Sequence, residues 1–359
     1  MRLRSTLTTA AVAAVSGALA LSATMTAPAS ARPAASQDGA RKLDSTVIAP
    51  FQVAVRGGAV WWTDGFGGTI TRLKDGRKQV LFRVPAEGLA LSGKKVAYTT
   101  TPENSFSRLV VVRPGRKKQV VNLRRFERLR NPDGNVTYGI IRNYSQCAAD
   151  FFNSQQPGTA RYKGIKDSHP YQVEALPNGA WAIAEAAGNE ILKVNKRGGI
   201  SVLALLPRQP ITFTQQMADA LEAPDCVVGV RYAFEPVPTD VERDRRGNLW
   251  VSTLPGGPES PALGARGSVY RINKNGNVRK IKSGFLGATN LAIWKNKVYV
   301  AELFGSRISA IRNGRIVTAR RIANPVAVEA TKHKLFIGQL APLGPTGPTG
   351  PGGIYRFPR

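Results

Sequence analysis

The chain has 359 residues, 42% of them hydrophobic, and a formal net charge of +28 from 51 Lys and Arg against 23 Asp and Glu. That apolar fraction excludes a disordered basic tail, and two Cys exclude both a disulfide-dense miniprotein and a zinc site made of four Cys. With 36 Gly and 24 Pro, many short elements joined by turns are favoured over a helical bundle.

Residues 1–31 have the three parts of a secretory signal peptide. Two arginines lie in the first four residues, an apolar run extends from Ala10 to Leu21, and small residues end at Ala31. The run is shorter than the roughly 20 apolar residues that span a membrane. We therefore predict cleavage after Ala31 and export, with no transmembrane segment. Cleavage removes Arg2 and Arg4 and no acid, so the net charge falls by two to +26. Residues 32–43 are small and polar and predict a flexible leader.

From residue 44 to residue 359, one pattern recurs six times. An apolar alternating strand leads through a turn to a second strand rich in β-branched and aromatic residues. These six second strands cover residues 60–64, 96–100, 180–185, 249–253, 298–302 and 335–339. Third and fourth strands follow most of them, with Asp-Gly or Asn-Gly hairpin turns between the strands. The pattern predicts a single all-β domain, a six-bladed β-propeller.

The repeats are unevenly spaced, which indicates insertions at residues 123–168 and 207–238, with a smaller one at about 255–267. We expect the two large insertions to form loops. The main alternative is a seven-bladed ring in which an insertion supplies a further blade. The last repeat ends in its third strand, so residues 43–48 are predicted to supply the fourth and to close the ring, which removes open sheet edges.

One cysteine lies in each large insertion, Cys147 in the first and Cys226 in the second. In an exported protein this arrangement predicts a disulfide rather than two free thiols. The bond would close about 80 residues and stabilise the fold by roughly 4 kcal/mol in the chain-entropy model. It would join the two insertions into one cap on a face of the propeller.

In a propeller, the start of each first strand and the end of each second strand meet at one face. Polar side chains occupy eight such positions, and we predict that they converge at the mouth of the ring. They are Asp64, His169, Glu185, Asp240, Asn290, Glu302, Asn324 and Gln339. Their carboxylate and amide oxygens suit Ca²⁺ or Mg²⁺. The competing interpretation is that they satisfy strand-end backbone groups and line a channel.

Catalytic signals are weak. His169 is the better general-base candidate because it lies at the predicted mouth, whereas His333 lies between Lys332 and Lys334 in a turn that we expect to be solvated. The sequence has no nucleophile elbow, phosphate-binding loop, dinucleotide fingerprint or His-Glu-x-x-His motif. The sequence therefore identifies no catalytic residue.

Several segments resemble the ScyD/ScyE family of secreted bacterial propeller proteins, which is related to NHL-type repeats. They are residues 168–171, 224–229, 234–241, 252–258, 263–270, 284–289 and 298–305. The resemblance extends from about residue 44 to the end and implies a six-bladed ring and export, but no established reaction. A further likeness, to propeller lactonases related to gluconolactonase, implies a divalent metal held near the axis by a Glu, an Asn and an Asp.

Basic clusters are spread over most repeats, and the densest covers residues 124–130. Aromatic residues are not interleaved with them, which argues against specific nucleic-acid recognition. Non-specific attraction to polyanions is expected, and outside a bacterial cell these would be anionic cell-wall polymers or polysaccharides. We expect a monomer.

Two functions are consistent with these observations. The first is a secreted binding or scaffold module for a small molecule, glycan or protein. The alternative is a divalent-metal-dependent hydrolase or lyase, lactonase-like, with its site at the propeller mouth.

Overall fold

The computed structural model describes residues 39–102, 105–258, 261–345 and 347–359. The predicted signal peptide and most of the predicted leader lie outside these ranges. In the part of the chain that is described, no helix is long and apolar enough to cross a membrane.

The strands follow one another in the repeating order that the sequence predicts. The described chain begins with β1 (Arg41–Asp44). The first sheet contains β2 (Val53–Arg56), β3 (Ala59–Asp64), β4 (Thr69–Lys74) and β5 (Arg77–Arg83). The second contains β6 (Ala86–Ser92), β7 (Lys95–Thr100), β8 (Arg108–Val112) and β9 (Gln119–Asn122).

The first insertion separates the second and third sheets. It contains α1 (Leu123–Arg130), β10 (Thr137–Arg142), α2 (Gln146–Gln155) and β11 (Arg161–Lys163). The third sheet then contains β12 (Pro170–Ala175), β13 (Trp181–Glu185), β14 (Glu190–Val194) and β15 (Ile200–Leu205). The second insertion follows, with β16 (Gln209–Thr212), α3 (Gln215–Ala220) and β17 (Arg231–Phe234).

The remaining sheets resume the four-strand order. The fourth contains β18 (Pro238–Arg243), β19 (Leu249–Thr253), β20 (Gly267–Ile272) and β21 (Val278–Phe285). The fifth contains β22 (Ala288–Trp294), β23 (Lys297–Glu302), β24 (Arg307–Arg312) and β25 (Arg315–Arg321). The chain ends with β26 (Pro325–Ala330), β27 (Lys334–Gln339), the short β28 (Leu343–Gly344) and β29 (Gly347–Pro348), and β30 (Gly353–Pro358).

The first strands of six sheets form a closed series. β6 contacts β12, β12 contacts β18, β18 contacts β22, β22 contacts β26, and β2 contacts both β26 and β6. Each of these strands is followed outwards by its antiparallel partners. Sheets arranged radially around an axis in this way are the architecture of a β-propeller. The predicted all-β propeller is thereby confirmed.

The two ends of the chain meet in one sheet. β1 pairs antiparallel with β30, with Arg41 opposite Arg356 and Asp44 opposite Ile354. The closing strand covers residues 41–44, two residues earlier than the predicted 43–48, and it includes the last three residues of the predicted leader. The Asp44 carboxylate anchors the strand by accepting the backbone N–H groups of Thr46 and Val47 and the Lys78 ammonium, with 2.6 Å from Nζ to Oδ2.

The two large insertions are not loops, and here the prediction is corrected. β10 and β11 from the first insertion join β16 and β17 from the second in a seventh four-stranded sheet, in the order β11-β10-β17-β16. This sheet stands outside the closed series of first strands. The central strands β10 and β17 are separated by about 90 residues of chain. No hairpin turn connects them, so no local sequence signal predicts that they pair.

The seventh sheet has its own hydrophobic core. Aromatic side chains from both insertions pack together, including Phe152, Phe213 and Tyr232, and Phe152 lies 4.4 Å from Tyr232 between ring centroids. The predicted disulfide is present, and it joins Cys147 in α2 to Cys226 in the short 3-10 helix Asp225–Val227. The insertions thus form one covalently linked unit.

Candidate functional site

The inner edge of each propeller sheet faces the axis, and its backbone groups need partners there because no further strand pairs with it. Four buried polar side chains, Gln52, Gln172, Asp240 and Asn290, provide partners and will be called the axial layer. The Asp240 carboxylate accepts the Leu291 N–H of the next sheet at 2.9 Å, and Asn290 Oδ1 accepts Val328 N–H at 2.8 Å. Asp240 therefore joins the fourth sheet to the fifth, and Asn290 joins the fifth sheet to the sixth.

The axial layer also crosses the axis. Asn290 Nδ2 donates to Gln52 Oε1 at 3.1 Å, linking the fifth sheet to the first. Gln172 Nε2 donates to the carbonyl oxygen of Phe51 at 2.8 Å, linking the third sheet to the first. These bonds close the middle of the ring with polar side chains.

The second sheet has Gly88 at the corresponding place. A Cβ at this position would lie 2.5 Å from Thr99 Oγ1 and 2.9 Å from both Gln172 Cα and the carbonyl oxygen of Tyr171. No side chain fits there, because the second and third sheets approach each other too closely.

Two of the predicted mouth residues serve the backbone around them. Asp64 accepts the N–H groups of Ile48, Ala49 and Gly67 at 2.9 to 3.0 Å. Glu302 is fully buried, accepts Leu286 N–H at 2.7 Å and pairs with Arg307 at 2.9 Å from Nε to Oε1. Their oxygens are already used by N–H donors, which matches the interpretation that mouth residues satisfy strand ends.

Two others, His169 and Glu185, belong to a buried group on the mouth side of the third sheet. Glu185 accepts the backbone N–H of His169 and the Ser168 hydroxyl, the latter at 2.9 Å. His169 Nε2 lies 3.4 Å from Glu87 Oε1. Burial lowers the pKa of His169 to about 4 and raises that of Glu185 to about 8 and that of Glu87 well above its usual range. Burial thus favours a neutral imidazole beside neutral carboxyls over an ion pair.

Asn324 and Gln339 are half-buried at the start of β26 and the end of β27. Asn324 has a φ of 46°, and its carbonyl oxygen accepts Leu340 N–H at 2.9 Å. The eight predicted residues are thus divided among the axial layer, the buried His169 group and strand ends. Over residues 39–102, 105–258, 261–345 and 347–359, no three His, Cys, Asp or Glu side chains form a set that could hold a metal ion. At the mouth, the oxygens of Asp64, Glu185 and Glu302 already accept hydrogen bonds from N–H and O–H donors, so these carboxyls do not fit the divalent metal expected from the lactonase likeness.

An open cavity of about 410 Å³ lies on the other side of the axial layer. It extends from Gln52 to the exposed Arg56 and Gly93, where the first strands end. Three half-buried glutamates line it, Glu174 from the third sheet, Glu242 from the fourth and Glu329 from the sixth. We call this the axial cavity.

Burial raises the pKa of all three glutamates, and neighbouring carboxylates add to the rise in Glu242 and Glu329. Burial raises the pKa of Glu174 to about 7 and that of Glu329 to about 8, and the charge of Glu174 adds to the second shift. Burial, followed by the charges of Glu174, Glu329 and Asp240, raises the pKa of Glu242 well above its usual range. Hydrogen bonds from the backbone N–H groups of Ala175 and Arg243 reduce the rise in the pKa of Glu174. Burial therefore favours the neutral, protonated form of these carboxyls in the free cavity.

Sequence reasoning missed these glutamates although the signal was present. Side chains two residues apart on a strand share a face, and each glutamate follows its first strand's axial position by two, as in Gln172-Val-Glu174 and Asp240-Val-Glu242. Following this two-residue alternation along the first strands, away from the mouth, would have identified the three glutamates.

A scan against models of protein families found no match, and a search of curated proteins found none. Among solved structures, the chain is similar to a gluconolactonase from Xanthomonas campestris, with 10% identity over 89% of each chain and a TM-score of 0.54. It is also similar to a putative oxidoreductase (glucose dehydrogenase) from Thermus thermophilus, with 15% identity over 88% of this chain and 98% of that one and a TM-score of 0.52.

A third similar structure is a catalytically inactive virginiamycin B lyase from Staphylococcus aureus, with 16% identity over 83% of this chain and 80% of that one and a TM-score of 0.48. Identities this low show the fold alone. The first two comparisons support the β-propeller fold independently of the strand pairing.

The axial layer predicts a stability effect. Asn290→Ala removes the acceptor of the buried Val328 N–H, and an orphaned buried donor costs about 1–3 kcal/mol. We expect the free energy of unfolding to fall by that amount in urea titrations. Asn296→Ala, in an exposed turn, is the control and should have little effect. Equal stabilities for the two variants would contradict the role assigned to Asn290.

The axial glutamates predict a pH effect. Their pKa values are higher in the folded than in the unfolded state, so the folded protein binds more protons and its stability falls as the pH rises from about 4.5 to about 8. In Glu329→Gln the free energy of unfolding should fall less steeply with pH, and the difference in slope should correspond to at most about one bound proton. Urea unfolding over that pH range, in buffer free of divalent cations, measures it. The exposed Glu222→Gln should keep the parent slope, and an unchanged slope in Glu329→Gln would contradict the prediction.

Proposed function

We propose that the protein is a secreted binding propeller whose axial cavity takes a small polar ligand carrying a positively charged amino group. One observation carries the proposal: three glutamates from three different sheets face a single open cavity. A carboxylate that receives a hydrogen bond from an ammonium group gains more free energy than a neutral pair does. A bound ammonium would favour the ionised form of these carboxyls and would compensate the repulsion between the charges that then form.

The size and shape of the cavity support a small ligand. Its volume of about 410 Å³ lies in the range of small-molecule sites, which is about 300–1,000 Å³. Gln52 and Ser92 add amide and hydroxyl groups to the lining. A compact, hydroxyl-rich amine such as an amino sugar matches these groups better than an extended chain does.

The family and cellular context belong to the same proposal. The closed series of six first strands supports a six-bladed propeller with the insertion sheet outside the ring, as the likeness to the ScyD/ScyE family implies. The disulfide supports export, because such bonds persist in oxidising compartments.

Glucosamine and glucose form a matched pair of probes, because they differ only in the amino group at one carbon. We expect glucosamine to bind the parent protein at least about ten-fold more tightly than glucose, which corresponds to one charge-assisted hydrogen bond. Isothermal titration calorimetry at neutral pH measures both. In Glu242→Gln/Glu329→Gln the preference should disappear.

The control is Glu222→Gln, which removes a carboxylate from an exposed loop and should keep the preference. Equal affinities of the parent protein for the two sugars, or a preference that survives the double substitution, would contradict the proposed ligand class.

We also propose that the basic surface adsorbs the protein to anionic cell-wall polymer. The helix α1 presents four arginines, and Arg124, Arg125, Arg128 and Arg130 are all exposed. A separate groove of about 520 Å³ between the sixth and first sheets is lined by Arg41, Lys332, Lys334 and Arg356, and by His333. Attraction from such dispersed charges is screened by salt over about 8 Å at physiological ionic strength.

Adsorption can be measured by co-sedimentation with isolated cell walls at increasing NaCl. We expect retention to fall steeply with salt, and to weaken in a variant with all four α1 arginines changed to Gln. Retention that does not change with salt would contradict an electrostatic origin.

A hydrolase or lyase is the second candidate, and one observation favours it. Asp240, with its pKa raised by burial to about 7, lies two residues before Glu242, whose pKa is raised further. Neighbouring carboxyls with unequal pKa values can share the roles of general base and general acid. Both oxygens of Asp240 accept backbone N–H groups, from Val241 and Leu291, which favours the binding function.

A further inference from the structure

A second acidic region lies outside the ring axis, where the first insertion meets the third sheet. Helix α1 carries Glu127 on its inner face, and β14 begins with Glu190. Glu127 is 1% exposed and Glu190 is fully buried. Two acidic side chains from different parts of the chain are therefore withdrawn from water at one contact.

Neither carboxyl has a hydrogen-bond partner among the described residues. Both oxygens of Glu127 and both oxygens of Glu190 are buried without a hydrogen bond. Among the described residues, the Lys78–Asp44 and Arg307–Glu302 ion pairs and the His169–Glu87 contact involve neither of them. Burying a carboxylate without a partner costs several kcal/mol, so the arrangement calls for a group that compensates the charge.

The two carboxyls converge on one small space beside Gly188. A Cβ built on Gly188 would lie 3.1 Å from Glu127 Oε2 and 3.4 Å from Glu190 Oε1. The same Cβ would lie 3.2 Å from Glu185 Cγ, so a side chain here would crowd all three glutamates, and glycine lets the Glu127 and Glu190 oxygens lie close to the backbone and to each other.

The surrounding charges increase the need for a cation. The charges that act on Glu127 are those of Asp133 and Asp167, and those that act on Glu190 are Glu127, Glu185 and Asp133. Burial and these carboxylates raise the pKa of Glu127 to about 7 and that of Glu190 to about 9. Asp133 is oriented by Tyr138 and Asn189, at 3.1 and 2.9 Å, and its other oxygen is also without a partner.

We propose that Glu127 and Glu190 bind a hard divalent cation of the Ca²⁺ or Mg²⁺ class in the space beside Gly188. Carboxylate oxygens are the ligands that these ions prefer, and Mg²⁺ in particular is often bound through only one or two carboxylates. The described residues add no third His, Cys, Asp or Glu ligand, so the two glutamates would be the charged ligands of the site. The site is separate from the axial cavity and does not depend on the proposed ligand there.

The cation would fasten the first insertion to the propeller. Glu127 belongs to the insertion and Glu190 to the third sheet, so an ion between them joins the two units non-covalently. The disulfide joins the two insertions to each other but not to the ring. An extracellular divalent cation would thus complete the attachment of the insertion sheet.

Calorimetric titration of CaCl₂ or MgCl₂ into protein freed of metal with EDTA and dialysed, at mildly alkaline pH, tests the proposal. We expect saturable binding of at least one of the two cations, and a thermal unfolding midpoint that rises with its concentration. Glu127→Gln/Glu190→Gln preserves side-chain volume and should lose both effects. Glu127→Gln alone should weaken binding by about ten-fold or more, which keeps the test valid if the double variant does not fold.

Two controls separate this site from other carboxyls. Glu242→Gln/Glu329→Gln removes two of the three glutamates of the axial cavity, and Glu222→Gln removes an exposed carboxylate. Both variants should retain the response to the cation. Absence of binding and of any midpoint shift with either cation in the parent protein would overturn the proposal, as would a full response in Glu127→Gln/Glu190→Gln. A midpoint that rises on acidification but responds to neither cation would assign protons to these carboxyls and would also overturn it.

Discussion

The structure depends on how the inner edges of the propeller sheets are satisfied. A first strand has a pairing partner on one side only, and the backbone groups on its other side are buried at the axis. Asp240 and Asn290 accept N–H groups from the following sheet, and Asn290 and Gln172 donate across the axis to the first sheet. These side chains fix the spacing of the sheets, and they also divide the axis into a closed mouth side and an open cavity.

This division determines where chemistry can occur. On the mouth side, carboxylates such as Asp64 and Glu302 accept hydrogen bonds from backbone N–H groups and, for Glu302, from an arginine. On the open side, Glu174, Glu242 and Glu329 face one another and a cavity. The chain has a net charge of +28, yet its interior collects acids at the axis and beside Gly188. Arg243 acts on Glu174, but no ion pair among the described residues involves Glu242, Glu329, Glu127 or Glu190, and buried or half-buried acids of this kind favour cationic ligands.

Much of the architecture could be predicted from the sequence, because strand alternation and Asn-Gly or Asp-Gly turns are local signals. The recurrence of second strands such as Val60–Asp64 and Val298–Glu302 followed from such signals, and the closure by the N-terminal strand followed from the missing fourth strand of the last repeat. The Cys147–Cys226 bond followed from the presence of one cysteine in each large insertion of a chain predicted to be exported. The seventh sheet did not follow from a local signal, since β10 and β17 pair between separate insertions without a connecting turn. The candidate site was only partly predictable: residue type and strand position located Asp240 and Asn290, but whether an oxygen is free or spent on a backbone N–H depends on neighbours distant in sequence.

The central claim is that the axial carboxyls are kept protonated in the free protein until a cationic group enters. Infrared difference spectroscopy of the parent protein against Glu242→Gln at neutral pH tests it most directly, because protonated and ionised carboxyls absorb at separate frequencies. The account predicts that the difference spectrum contains a protonated-carboxyl band that belongs to Glu242, since the pKa of this residue is raised well above its usual range. A spectrum that contains only ionised-carboxylate bands would contradict it.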